Sequence, residues 1–181
     1  MKTAASDKLI FHPTVEALLV RGLNDRMTPD FRAKLATLGF DLDKVLPGYP
    51  YEKWEQAILA ATSLFPELKR AEALEALGAR LLKASLESSV SSKLLPLLRV
   101  LGVTRALKRA LKSGTGENFN IVSFGAETST SLEISMSFVG TIPEFALGSM
   151  KSLPPILGGK NVRGQVVNYA NPGATYLLQW D

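Results

Sequence analysis

Side chains that commonly carry catalysis are scarce in this chain. It has one histidine, His12, and no cysteine. The lack of cysteine removes disulfides, thiolate metal sites, iron–sulfur clusters and a cysteine nucleophile. One histidine cannot form the helical zinc motif, which needs two, and a Ser–His–Asp triad would have to use His12 at a predicted strand-to-helix corner. The sequence therefore argues against most hydrolytic templates.

Phosphate loops and acid–base pairs are equally poorly supported. Residues 113–116 (SGTG) and 158–160 (GGK) precede predicted strands, whereas a phosphate loop follows a strand and opens a helix. Glu133 falls on the polar side of a predicted strand and Glu144 in the first turn of a predicted helix, so both have simple structural roles. We predict no catalytic residues, no metal site and no enzymatic activity.

Basic residues concentrate in one stretch that contains no aspartate or glutamate. They are Lys93, Arg99, Arg105, Lys108, Arg109 and Lys112. A solvated helix face is one interpretation. The other is a site for an acidic partner, a phosphate or an anionic lipid headgroup, for which Arg99, Arg105, Lys108 and Arg109 are the candidates. The net charge of +4 is only mildly basic, so nucleic acid is not strongly indicated.

Apolar residues exceed what a two-layer core needs in the leucine-rich stretch 94–101 (LLPLLRVL). Three uses stay open: core, dimer interface, or one wall of a ligand pocket. For the pocket we expect apolar and aromatic walls with few polar anchors. Its candidate residues are Tyr49, Tyr51, Trp54, Leu81, Leu98, Leu101 and Phe138.

The elements that would position these residues are first helical and then extended. A short strand is predicted at 9–11. Apolar residues at helical spacing predict helices over 13–23, 28–39, 51–64, 69–88 and 91–112. Thr28 is an N-cap followed by Pro29, and the last helix is expected to break near 101–104, where Thr104 is a candidate cap. Gly78 and Ala79 are small enough to let a neighbouring helix approach closely.

After residues 113–116 the apolar period falls to two. Strands are predicted at 119–124, 131–139, 162–169 and 175–180, with a helix opening at Pro143 between the second and third. We therefore predict an α+β fold in one domain, 1–181. In it a mainly helical part (1–113) packs on a C-terminal antiparallel sheet (117–181) with strand-strand-helix-strand-strand order.

Length and hydropathy predict a cytoplasmic protein. The 181 residues are typical of one domain. The first eight are polar and lack the apolar core of a signal peptide, and no stretch approaches the roughly 20 apolar residues of a transmembrane segment.

Three segments resemble a paralogous family of uncharacterised myxobacterial proteins. They are 46–54 (LPGYPYEKW), 72–80 (EALEALGAR) and 138–145 (FVGTIPEF). The resemblance covers nearly the whole chain and implies membership of a family whose function is not known.

More distantly, the layout is similar to a ligand-binding superfamily. Its members are the haem–nitric-oxide-binding (H-NOX) domain, the vinyl reductase domain and TRAPP-type trafficking subunits. The features that resemble it are the tyrosine–proline turn before a helix, the Ala-Leu-Gly helix, the run 97–102 (LLRVLG) and the order of the last five elements. The resemblance implies a cavity between helices and sheet, which relatives fill with haem, aromatic effectors or an acyl chain.

Two departures bear on haem. The haem branch needs a histidine on the helix before the sheet, and residues 101–113 contain none. Its Tyr-x-Ser-x-Arg clamp would fall near 132–138, which reads LEISMSF. We therefore expect no histidine-ligated haem, while a tetrapyrrole held without a histidine stays open.

The sequence thus predicts a non-enzymatic binding or sensory module for signalling that holds an apolar small molecule. Acyl, aromatic and tetrapyrrole-like ligands all suit such a cavity. The alternative is an interaction scaffold or homodimer without a ligand.

Overall fold

A computed structural model of the chain describes residues 8–87, 96, 100–114 and 120–181. Helices dominate the first part. The first, α1, spans His12–Val15 and continues as a π-helix over Glu16–Gly22. The others are α2 (Pro29–Thr37), α3 (Tyr51–Ala61, extended by a 3₁₀ turn at Thr62–Leu64), α4 (Arg70–Leu86) and α5 (Val103–Gly114).

The second part is an antiparallel sheet with two helices inserted. Its strands are β3 (Val122–Glu127), β4 (Ser131–Met136), β5 (Arg163–Ala170) and β6 (Gly173–Gln179), in the spatial order β3-β4-β6-β5. Helices α6 (Pro143–Lys151) and α7 (Leu153–Leu157) connect β4 to β5. The predicted α+β class and strand-strand-helix-strand-strand order are confirmed.

A two-stranded sheet near the N-terminus was only half predicted. Strand β1 (Leu9–Phe11) pairs antiparallel with β2 (Gly48–Pro50), which lies inside the segment predicted to be a turn. Proline and glycine made this segment read as a connector, yet Ile10 aligns with Tyr49 and pins it to β1. Long-range pairing outweighed the local turn preference.

Helix boundaries follow the predicted capping residues in most places. The Thr28 hydroxyl accepts a hydrogen bond from the Phe31 amide at 3.2 Å, and α2 is followed by Gly39 in a left-handed conformation (φ +92°). The predicted break near 101–104 is confirmed by Gly102 (φ +77°), after which α5 begins. The suggested cap Thr104 is wrong, because it lies inside α5 and its hydroxyl donates to the Thr128 carbonyl on the β3–β4 turn at 3.4 Å.

Buried apolar side chains form two clusters in the part of the chain that the structure describes. The helical core joins α1 to α4 and contains Trp54. The sheet core joins α5, α6 and α7 to the inner face of the sheet and contains Trp180. Phe138, Ile142 and Phe145 follow β4 in the chain but pack in the helical core, so this segment links the two clusters.

Helices α4 and α6 meet backbone to backbone between these cores. A Cβ atom added to Gly78 would lie 1.9 Å from the Phe145 carbonyl oxygen. One added to Gly148 would lie 2.0 Å from the Glu75 carbonyl oxygen. The close approach expected at Gly78 is confirmed, and the partner helix is α6. No ligand fits between the two helices at this crossing.

We expect Gly148→Ala to lower the free energy of unfolding by about 2–3 kcal/mol, because the new methyl group would overlap the α4 backbone. Urea unfolding monitored by circular dichroism measures this. Gly102→Ala is the matched control: a Cβ atom there meets nothing within 4 Å, so only the left-handed backbone opposes it, at roughly 1 kcal/mol. Equal losses in the two variants would contradict the proposed helix contact.

Candidate functional site

The second half of α4 forms one wall of an open apolar trough. Ala79, Lys83 and Leu86 recur at helical spacing and therefore share a face. Ser152 and Ile156, four residues apart across the junction of α6 and α7, face them. The cavity measures about 540 Å³ and is lined by Ala79, Arg80, Lys83, Leu86, Glu87, Ser152 and Ile156. We call it the α4–α7 trough.

A second, more polar groove adjoins the trough. Its volume is about 430 Å³, and it shares Arg80, Lys83 and Glu87 with the trough. The remaining lining comes from the end of the π-helix and the turn after it, including Asn24, and from Ala84. The combined space is therefore apolar toward α7 and polar toward the N-terminal helix.

Arg80 is fixed at the boundary by the turn after the π-helix. Its guanidinium donates to the Gly22 carbonyl at 2.7 Å and to both carboxylate oxygens of Asp25, at 2.5 and 2.9 Å. This hydrogen bonding holds the pKa of Asp25 below its usual value. The stabilisation from this pair is therefore present above the ordinary aspartate pKa and is lost as the pH falls through the lowered one.

Lys83 lies one turn beyond Arg80 and is exposed. Within the described residues its ammonium group forms no ion pair, and Glu87, four residues on, is not within ion-pair distance. A compact ammonium at the edge of an apolar wall can accept a negatively charged group from a ligand. Because Asp25 already neutralises Arg80, Lys83 is the better candidate for this contact.

The aromatic residues predicted to close a pocket lie in the helical core. Tyr49 stacks on Phe40 at 4.4 Å, and its hydroxyl accepts a hydrogen bond from the Leu46 amide at 2.8 Å. Trp54 meets the edge of Phe145 at 6.2 Å. Both are almost fully buried. Neither lines the trough, so their predicted contact with a ligand stays a prediction.

The other predicted pocket residues are spread over the molecule. Tyr51 and Phe138 pack edge to face at 4.7 Å. Leu81 lies at the margin of the helical core, and Leu101 is 39% exposed just before α5. Leu98 is outside the described residues. The structure thus brings Tyr51 and Phe138 together in the helical core, and Leu81 packs against the same core.

Tyrosine hydroxyls anchor the segment between β4 and α6. Tyr51 donates to the Val139 carbonyl at 3.0 Å, Tyr169 to Gly140 at 2.8 Å and Tyr176 to Pro143 at 3.1 Å. Burial, and then neighbouring charges such as Glu55, raises the pKa of the Tyr51 hydroxyl, so it stays protonated and donates. Because Tyr51 comes from α3 and the other two from the sheet, this segment is tied to both cores.

The predicted cation cluster is partly assembled on α5. Arg105 and Arg109 are exposed, and Lys108 forms an ion pair with Glu127 on β3. Lys108 and Lys112 also lie over the ring of Phe124, at 5.5 and 5.7 Å from its centre. Arg99 falls outside the described residues.

The described residues contain neither a metal-binding cluster nor a membrane-spanning helix. No group of three or more aspartate, glutamate or histidine side chains in 8–87, 100–114 and 120–181 is arranged to hold a metal ion. None of the helices in these ranges is both long enough and apolar enough to span a bilayer.

The sequence of this chain matches the model of one known protein family. The model of a family described as "Protein of unknown function (DUF2378)" matches residues 8–181. The chain belongs to the DUF2378 family. No curated protein matches it in sequence.

Several solved structures of H-NOX proteins share this fold at low sequence identity. An Fe(II) unliganded H-NOX mutant from K. algicida aligns with a TM-score of 0.61 and 11% identity, over 93% of this chain and 96% of that one. An oxygen-binding H-NOX domain related to soluble guanylate cyclases aligns at 0.59 and 12%, over 93% and 94%. A Cs H-NOX mutant aligns at 0.65 and 10%, over 93% and 96%. The DUF2378 chain therefore has an H-NOX-like fold.

Sequence reasoning missed the trough residues. Arg80 ends a segment already singled out for its family resemblance, but nothing marked Lys83 or Ile156. The usable signal was the stripe Ala79, Lys83 and Leu86, because it differs from the core-facing stripe Ala73, Leu74 and Leu77 of the same helix.

We expect Tyr51→Phe to lower the free energy of unfolding by about 1–2 kcal/mol, since it removes a buried donor from the Val139 carbonyl. Tyr169→Phe removes the same kind of bond at a residue that is 42% exposed and should cost less than about 1 kcal/mol. Urea unfolding of both variants compares them. A loss in Tyr51→Phe no larger than in Tyr169→Phe would argue against the buried anchor.

Proposed function

We propose that this DUF2378 protein is a non-enzymatic sensory module that binds an apolar small molecule carrying one anionic group in the α4–α7 trough. The observation that carries the proposal is the trough itself: it lies where α4, which belongs to the helical core, faces α7, which belongs to the sheet core. A ligand there would contact both parts of the molecule and favour one arrangement of them.

The size and chemistry of the trough support a slender amphipathic ligand. Its volume of about 540 Å³ falls within the usual range of about 300–1,000 Å³ for small-molecule sites. Ala79, Leu86 and Ile156 offer apolar contact, and Lys83 offers a positive charge at the rim. A fatty-acyl carboxylate or an aromatic acid satisfies both requirements.

Histidine-ligated haem does not fit the residues present. Among the solved structures with this fold, one is an Fe(II) H-NOX protein from K. algicida and another concerns haem redox potential. Here the one histidine, His12, is the first residue of α1, has 47% of its side chain exposed and lies 3.8 Å from Glu16. It cannot serve as an interior ligand of haem iron from that position. We therefore propose a metal-free ligand.

An interaction scaffold is the second candidate, and one observation favours it. Leu9, Phe11 and Leu46 are 40–48% exposed, and the first two lie on the same face of β1. A homodimer or partner could cover this apolar surface. We likewise propose that the protein resides in the cytoplasm and that it is related to vinyl reductase domains.

We expect the purified protein to bind a fluorescent fatty acid such as cis-parinaric acid, and Ala79→Trp to weaken this binding at least tenfold, because the indole would fill the trough. Ala33→Trp on the exposed side of α2 is the matched control and should bind like the parent. Fluorescence titration gives the affinities.

Native mass spectrometry of the unmodified protein complements the titration. A ligand mass lost on denaturation agrees with the sensory module. Equal binding by the two tryptophan variants would place the ligand elsewhere. A ligand-free dimer that Leu9→Ser/Phe11→Ser dissociates would favour the scaffold.

We further expect Lys83→Gln to weaken binding of the fatty acid more than binding of its methyl ester, because only the acid carries the charge that Lys83 would meet. Titration with both compounds measures the ratio. An unchanged ratio would exclude Lys83 as the anionic anchor.

A further inference from the structure

The net positive charge of this chain comes from one segment. It has 21 lysine and arginine residues against 17 aspartate and glutamate residues. Residues 88–116 contain six of the cations and no acid, so the rest of the chain carries a formal charge of −2. The described part of this segment is centred on α5.

The cations of α5 lie along its outer face. Ala106, Leu107 and Leu111 turn inward to the sheet core and are almost fully buried. Arg105, Arg109 and Lys112 are exposed. They are spaced four and three residues apart, so they form one stripe about 10 Å long. Lys108 stands beside the stripe and is already paired with Glu127.

Exposed apolar side chains precede the stripe. Val100 is 86% exposed and Leu101 is 39% exposed, and they precede Gly102, after which α5 begins. Solvation of two such neighbouring side chains is unfavourable, and they lie within two turns of Arg105. The segment therefore combines a line of cations with an apolar tip.

We propose that the outer face of α5 docks on an anionic lipid surface, with the stripe on the headgroups and Val100 and Leu101 at the apolar boundary beneath them. Cations beside exposed apolar residues are the pattern of peripheral membrane contact. Nucleic acid would satisfy the cations but offers phosphates and no apolar layer to Val100. Since Ala106, Leu107 and Leu111 bury the inner face of α5 in the sheet core, the outer face can dock without unfolding the helix.

Vesicle sedimentation tests this docking on the full chain. The vesicles are phosphatidylcholine mixed with phosphatidylserine, and phosphatidylcholine alone, in about 0.1 M salt. We expect binding to the mixed vesicles only, weakened by salt at about 1 M. Arg105→Gln/Arg109→Gln/Lys112→Gln should reduce binding roughly 100-fold, from three lost headgroup contacts.

A charge-matched control separates the stripe from net charge. Lys34→Gln/Lys44→Gln/Lys160→Gln removes the same charge from exposed positions elsewhere and should change binding less than about threefold. Val100→Ser/Leu101→Ser should leave the salt dependence intact and weaken binding about tenfold.

Three results would overturn the docking model. One is no sedimentation of the parent with mixed vesicles. Another is an equal loss of vesicle binding in the stripe and control variants, which would show that binding depends on net charge alone. The third is retention on immobilised polyglutamate without vesicle binding, which would make the partner an acidic polypeptide. Circular dichroism of each variant confirms that α5 is retained.

Discussion

At Gly78 and Gly148 the backbones of α4 and α6 touch, and neither position has room for a Cβ atom. The Ser149 hydroxyl reinforces the contact by donating to the Gly78 carbonyl at 2.9 Å. Lys151 and Glu75 close the same interface with an ion pair at 2.6 Å. Such close crossings are set by which residues lack side chains, so the relative position of the two helices depends on two glycines.

This crossing explains where the molecule can hold a ligand. Before Gly78, α4 packs Ala73, Leu74 and Leu77 into the helical core. Beyond the crossing, Ala79 and Lys83 face α7 across the open α4–α7 trough instead. The anchored segment from Val139 to Pro143 holds α6 in place from the other side, because tyrosines of α3, β5 and β6 all bind it. A ligand in the trough would thus contact α4 and α7 on either side of this crossing.

The fold was predictable from the sequence because its signals are local. Alternation at Leu132 and Ile134 marks a strand, Thr28 marks a helix start, and Gly102 marks a break, each within a few residues. Strand β2 was missed because its identity depends on pairing with β1, nearly forty residues away. The trough was missed for the same reason. Lys83 and Ile156 come together only through the crossing of α4 and α6. No local sequence motif indicates that contact.

Two aromatic residues were predicted to line the ligand site, but the structure places them in the core. Tyr49 and Trp54 were chosen because large rings line many ligand sites, but rings supply most of the buried area in cores as well. Here they fill the helical core. Their residue types alone could not separate these two uses, whereas their place on the core-facing side of β2 and α3 does.

The two tryptophans divide between the two cores. Trp54 is buried against Phe145 among the helices, and Trp180 is buried on the sheet side, where its indole nitrogen donates to the Ser129 carbonyl at 3.2 Å. Each half of the molecule therefore contains its own native fluorophore. Replacing either one with phenylalanine leaves tryptophan emission from one core alone, so the melting of helices and sheet can be followed separately without any attached dye.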